Sequence, residues 1–250
     1  MKVLASLVLA LAAFTVMAQN YPAPQEGTWV VRDFKFHTGE VLPELKLHYR
    51  TVGEKTGEPV IIMHGTTGSG AGFLTPTFAG ELFGAGQPLD AKRYYIILPD
   101  AIGHGRSSKP SDGLKMKFPR YNYDDMVDLQ HRLQTEHLGV KHARLVMGNS
   151  MGGMETWIWA QKYPGFMDAA APMAATPTEM ASRNWMTRRL IIDSIRNDPD
   201  WKNGEYTTQP RSAQFASVFF DIATSGGDQA LYRQAPTRQK ADELLDRRLK

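Results

Sequence analysis

With 250 residues, 42% of them hydrophobic and 22% charged, the chain is sized for one sizeable domain or a core with a modest insertion, and it has an ordinary globular composition. The 29 basic and 26 acidic residues are scattered to a net +3 without a basic block of the kind that grips phosphates, so no nucleic-acid partner is expected. The absence of cysteine excludes disulfides, thiol catalysis and thiolate metal sites.

The first residues, MKVLASLVLALAAFTVMAQN, place a lysine before an apolar run that ends at small residues around Ala18. That is the layout of a secretory signal peptide spanning 1–18. The run is short of the ~20 apolar residues a bilayer span needs, so cleavage, no stable membrane anchor, and a secreted or periplasmic location are expected.

After a proline-containing leader, TWVVRDFKF and LKLHYRTVGE alternate apolar with polar residues and predict two antiparallel strands joined through HTGE, residues 37–40. PVIIMHG, YYIILPD, RLVMGNS and DAAAPMAA are instead unbroken apolar runs, the mark of strands buried on both faces of a parallel sheet. Helix-like segments such as YDDMVDLQHRLQTEHLG and GGMETWIWAQKYP lie between them. Buried strands alternating with helices predict an α/β fold with right-handed crossovers over residues 19–177. From Thr178 onward no buried strand is visible, and EMASRNWMTRRLIIDSIRNDPDW and QKADELLDRRLK read as amphipathic helices of a cap over 178–250.

Gly148, Ser150 and Gly152 satisfy G-x-S-x-G where a buried strand meets a helix. The setting is that of a nucleophile elbow, a strained turn that projects the serine above the sheet with glycines where side chains would collide. A serine that attacks a carbonyl also needs donors for the developing oxyanion. The backbone N–H of Met151 supplies one. The loop HGTTGSGAG supplies the other, with Thr66 the first choice and Thr67 the second. His64 ends a strand ahead of that loop and is assigned to organising it. PDAIGHGRSSKP carries D-x-x-G-x-G-x-S but lacks the third glycine of a dinucleotide fingerprint, so it too is assigned to loop architecture. Trp157 and Trp159, with Met151 and Met154, either line an acyl pocket or pack on the core. His131 and His137 are six residues apart and do not share a helix face, no histidine spacing suits zinc, and no cofactor or metal is expected.

These three loops in this order resemble the α/β-hydrolase superfamily from about Thr28 to Ala175. More narrowly, GNSMGGMETWIWAQKYP, FPRYNYDDMVDLQ and NDPDWKNGEY resemble the homoserine O-acetyltransferase group, as far as about Tyr206. That group's motif has the form G-G-S-M-G-G-M-Q, from which Asn149 and Glu155 depart. The group also carries R-Q-A-I ahead of D-P-x-W, and Ile192 stands where its arginine would be, which weakens homoserine as the expected acceptor.

In α/β hydrolases the order along the chain is serine, acid, histidine, yet all seven histidines here precede Ser150. The acid and histidine are therefore expected in sequence beyond Lys250, and the 250 residues alone are expected to be inactive. Asp193, Asp198, Asp221 and Asp228 fall in the cap and are not nominated as the triad acid. The resulting expectation is an exported serine-dependent enzyme acting on a small-molecule acyl substrate, foremost a hydrolase of esters. Acetyl-CoA is a cytoplasmic cofactor, so an acetyltransferase ranks second and a non-catalytic binding protein third.

Overall fold

The computed structural model describes residues 20–225 and 227–249; the signal-peptide reading of residues 1–18 lies outside the described residues. Six strands form one mixed sheet in the order β1-β2-β4-β3-β5-β6. β1 (Gln25–Lys35) and β2 (Val41–Val52) pair antiparallel, and β2 also pairs antiparallel with β4 (Tyr94–Pro99). β3 (Glu58–Met63), β5 (Leu145–Asn149) and β6 (Ala170–Met173) run parallel to β4. The β1–β2 turn lies where HTGE predicted it, with Gly39 at φ 86°, a left-handed value that glycine adopts without strain.

β3 and β4 carry the predicted double-sided burial. Ile61 and Ile97 face one core with Leu129, Val146 and Trp159, while Val60, Ile62, Ile96 and Leu98 face a second core with Phe73 and Phe83. A one-turn helix α1 (Ala79–Leu82) belongs to the loop region after β3. β6 lacks this double-sided burial. Its residues are half-buried or exposed, because among the described residues it pairs with β5 alone and so stands at the sheet edge. Pro172 suits that position, since a residue without an N–H is tolerated at an edge.

Helix α2 (Tyr123–Arg132) starts at a reciprocal cap: Asp125 N–H donates to Asn122 Oδ1 at 3.1 Å and Asn122 N–H donates to Asp125 Oδ2 at 3.0 Å. It continues as a π-helical turn, Leu133–Leu138, ended by Gly139 at φ 73°. Helix α3 (Met151–Lys162) leaves the elbow and packs on β3, β5 and β6 on one side and α2 on the other. Beyond Met173 the described residues form helices and no strand: α4 (Ser182–Arg196), α5 (Arg211–Thr224), α6 (Asp228–Gln234) and α7 (Arg238–Arg248). α4 and α7 fall in the two predicted amphipathic segments; α5 and α6 lie between them.

Candidate active site

Ser150 is the single residue between β5 and α3, at φ 56°, ψ −111°. A non-glycine residue is rarely held there, and such strain persists only where its surroundings over-determine it. They do so here through two backbone bonds: Ser150 N–H donates to Met173 O at 2.9 Å and Met154 N–H donates to Ser150 O at 3.0 Å. The flanking glycines follow from close backbone approach. A Cβ on Gly148 would overlap the Gly152 carbonyl, a Cβ on Gly152 would overlap the Met63 carbonyl, and one on Gly153 would press on Met173 O. The helix can therefore start against β3 and β5 only if its first turn lacks side chains at 152 and 153.

The HGTTG loop borders this elbow. A Cβ on Gly65 would lie 3.3 Å from both Asn149 O and Ser150 Cβ, so the loop passes close beside Ser150. Gly68 N–H donates to Gly65 O at 3.0 Å, closing a tight turn in which Thr67 takes φ 66°. Thr66 follows Gly65 directly, and its Oγ1 is buried without a hydrogen-bond partner among the described residues. Met151, 3% exposed, is the first residue of α3, and its N–H is one of the first-turn donors that no helical carbonyl can satisfy. Thr66 and Met151 thus sit on the two backbone segments that meet at Ser150.

His64 is 4% exposed and fully engaged: Nδ1 lies 2.8 Å from Gly65 O, and Ala101 N–H donates to Nε2 at 3.0 Å. Nε2 accepts in that arrangement, so Nδ1 carries the proton and the ring is neutral. Burial holds the imidazole below its ordinary value, against the pull of the Gly65 carbonyl. Nε2 ties this loop to the one after β4, Nδ1 bonds the next residue's carbonyl, and neither is turned to a serine.

The D-x-x-G-x-G-x-S stretch is the other half of that tie. Asp100, fully buried, accepts from Gly70 N–H at 2.7 Å and Arg106 N–H at 2.9 Å, and pairs with Arg50 at 3.2 Å. Gly105 adopts φ 52° directly against Asp100 Oδ2, where a Cβ would overlap it. Ser107 Oγ donates to Asp100 O at 2.6 Å and accepts from His48 N–H at 2.9 Å. Every motif residue of this loop has a structural partner.

A cavity of about 990 Å³ reaches the HGTTG loop at Thr66 and Thr67 and is also lined by Tyr121. Its further walls come from the helical segment, among them Trp185, Arg188, Ile192, Ile195, Val218 and Phe220. Ser150 is not part of the lining. Ile192, at the position where the resembling group carries arginine, presents an apolar wall. Trp157, Trp159, Met151 and Met154 do not line the cavity; Trp159 is fully buried and packs on Tyr163 and Phe166 at ring separations of 5.5 and 5.4 Å.

The acidic residues after Ser150 have other partners. Asp193 accepts from Arg189 at 2.7 Å, Asp198 from Ser212 N–H at 2.9 Å, and Asp221 pairs with Arg248 at 2.6 Å. Asp228 opens α6. Among the described residues no three His, Asp or Glu side chains could jointly hold a metal, and no helix is long and apolar enough to cross a membrane.

Two residues of the region were missed in the sequence. Glu155, on α3 five residues past Ser150, is fully buried and its carboxyl is pushed up to about 8 by burial, with the Gln130 hydrogen bond acting the other way. The signal was present, since it is the one charge in MGGMETWIWA. Arg188, one helical turn before Ile192, lines the cavity, a placement that depends on how α4 meets α5.

The alpha/beta hydrolase fold family matches residues 58–211. A homoserine O-acetyltransferase of Geotalea daltonii is 34% identical over 200 residues, covering 72% of this chain and 53% of its own length. One of Methanohalophilus mahii is 32% identical over 194 residues, 69% of this chain and 39% of its own. The chain thus spans about half the length of the curated relatives it matches. Among solved structures, an acetylester hydrolase from Corynebacterium glutamicum superposes with a TM-score of 0.74 at 23% identity, over 90% of this chain and 68% of that one. A homoserine O-acetyltransferase from Staphylococcus aureus gives 0.73 at 21%, over 91% and 65%. At these identities the two structures speak for the fold alone.

Proposed function

The chain belongs to the α/β-hydrolase fold family, and on that premise we propose that it is part of an enzyme that moves a small acyl group through an ester on Ser150. The observation that carries this reading is the strained Ser150 elbow packed against the Gly65–Thr66 loop, with glycines at each point of backbone contact. In the proposed step Ser150 Oγ bonds to the acyl carbon, the bond to the departing thiolate or alkoxide breaks, and the serine proton passes to a base. The N–H groups of Met151 and Thr66 hold the oxyanion of the tetrahedral intermediate. An acceptor oxygen then takes the acyl group and frees Ser150. The base and its acid are assigned to no residue of this chain.

The acceptor is the finer question. Relatives at 32–34% identity are named for acetyl transfer to homoserine, which favours a hydroxyl acceptor and reverses the order of preference drawn from the sequence. Ester hydrolysis is the second reading, favoured by the apolar Ile192 in the cavity wall. The test is to incubate the protein with acetyl-CoA or an aryl acetate, with and without homoserine, and follow both the Ser150 peptide by mass and the acetylated products. An acetyl adduct on Ser150, lost in Ser150→Ala and discharged by homoserine, is expected. Discharge by water alone selects the hydrolase, and acyl transfer unchanged by Ser150→Ala overturns the proposal.

A further inference from the structure

The turn that borders the elbow holds one polar group without a partner. Gly65 O accepts from Gly68 N–H at 3.0 Å and lies 2.8 Å from the protonated His64 Nδ1, while His64 Nε2 accepts from Ala101 N–H at 3.0 Å. A carbonyl oxygen has two lone pairs, so the acceptor next to Thr66 in the chain is fully used. Thr66 Oγ1 is buried, and its hydroxyl has no hydrogen-bond partner among the described residues. Threonines in turns ordinarily bond a nearby backbone group, and a buried hydroxyl left unpaired is unfavourable. The next residue is strained as well. Thr67 is β-branched and stands at φ 66°, where glycine or asparagine is the usual occupant. An unpaired donor and a strained neighbour, consecutive in the loop that passes Ser150, mark a turn whose shape is kept for something other than its own stability.

We propose that the Thr66 side chain is a third donor to the oxyanion, acting beside the backbone N–H groups of Met151 and Thr66. Thr66 borders the cavity and directly follows Gly65, the residue that stands against Ser150. When Ser150 Oγ bonds to the acyl carbon, the carbonyl oxygen gains the negative charge, and the Thr66 O–H donates a hydrogen bond to it. The proton stays on the threonine, so this contact needs no base. In the free protein the hydroxyl has no bond to give up, so turning about χ1 toward the oxyanion breaks none. A donor that is idle in the ground state and engaged in the transition state lowers the barrier by the whole of its contact. The inference rests on the acyl-ester reading above, and adds a side chain whose removal leaves both backbone donors in place.

The test is the single-turnover acylation of Ser150 by para-nitrophenyl acetate, followed through para-nitrophenolate release and the mass of the Ser150 peptide. Thr66→Val keeps the branched shape and the backbone N–H and removes only the hydroxyl. It should lower the limiting acylation rate about 100-fold, the low end of what loss of one oxyanion donor costs. The half-saturating ester concentration should hardly move, because the neutral ester does not yet carry the charge. Thr66→Ser should recover most of the rate. Melting temperature separates this role from a structural one: a hydroxyl that bonds nothing can be lost without penalty, so Thr66→Val should melt no lower than the wild type. Thr66→Val acylating as fast as the wild type, Thr66→Ser as slow as the valine variant, or rate and melting temperature falling together overturns the proposal. No adduct in the wild type, or one that persists in Ser150→Ala, overturns the acyl-ester reading and this inference with it, so the two failures give different results.

Discussion

Gln130 Nε2 donates to Glu155 Oε2 at 2.8 Å while Trp159 Nε1 donates to Gln130 Oε1 at 3.2 Å, so one amide on α2 joins two side chains of α3 beneath the elbow. All three residues are at most 1% exposed, and Glu155 Oε1 has no hydrogen-bond partner among the described residues. A carboxylate here would be a buried charge with a single neutral donor. The neutral acid is the form that fits, which is why burial lifts this carboxyl to about 8.

That geometry predicts a stability that falls with rising pH. In the unfolded chain Glu155 gives up its proton near 4.5, whereas the folded protein keeps it to about 8. Between those values the native state binds more protons than the unfolded state, so stability declines as pH rises through this window and levels off above it. The full span corresponds to roughly 5 kcal/mol at most. Glu155→Gln keeps the acceptor for Gln130 and removes the titration. It should raise the melting temperature most at pH 8–9 and flatten the curve; parallel pH profiles for the two proteins would count against a buried neutral acid.

The elbow glycines should tolerate no methyl group. Gly148→Ala and Gly152→Ala each drive Cβ into a backbone carbonyl, and backbone cannot swing aside as a side-chain tip can. A loss of about 3 kcal/mol or more is expected, beyond the usual range for overpacking. Gly165→Ala, with nothing within 4 Å of the new Cβ, is the control and should change stability by less than about 0.5 kcal/mol. Chemical denaturation of the three variants decides it. An elbow variant as stable as the control would mean that the turn can relax.

Asp100 should matter more than its ion-pair partner. Asp100→Ala strands Arg50 with the half-exposed Glu26 and also frees two backbone donors, the buried Gly70 N–H and the partly buried Arg106 N–H. Breaking a buried pair from one side costs about 3–5 kcal/mol. Arg50→Met leaves Asp100 with both backbone donors and should cost less. The reverse ordering in urea melts would show that the charge pair, and not the loop tie, is the working contact.

Most of the framework could be read from residue order. The runs PVIIMHG and YYIILPD declare double-sided burial, and a glycine-serine-glycine step from such a run into a helix declares the elbow. What escaped depends on contacts between distant segments. DAAAPMAA has the composition of a buried strand, but its exposure is set by how many neighbours it pairs with. Helix α5 follows Pro210 without a side-chain cap, so nothing local marks its start. Glu155 and Arg188 look like surface charges until α2 covers the first and Phe220 fixes the second. His64 is the reverse case, because its place at a strand end already suggested a loop tie, and that tie makes its own prediction.

His64 should make the protein more sensitive to acid. Its neutral ring donates from Nδ1 to Gly65 O and accepts from Ala101 N–H, so a second proton would displace the Ala101 bond and leave a buried cation. The His104 ring, 5.2 Å away, would add a like charge, and Asp100 only partly offsets this. The folded-state value therefore lies below the ordinary 6.5. As pH drops below 6.5 the unfolded chain takes up this proton first, and stability present above 6.5 is lost until the folded value is reached. His64→Gln cannot titrate. At pH 7 it should be less stable by about 1–2 kcal/mol for the strained or broken loop tie, and the gap to wild type should narrow as pH falls. The difference between the two denaturation curves then reads the proton on His64. A gap that stays constant from pH 7.5 to 5 would show that His64 accepts a proton in the folded state as readily as in the unfolded one, and would return it to consideration as a base.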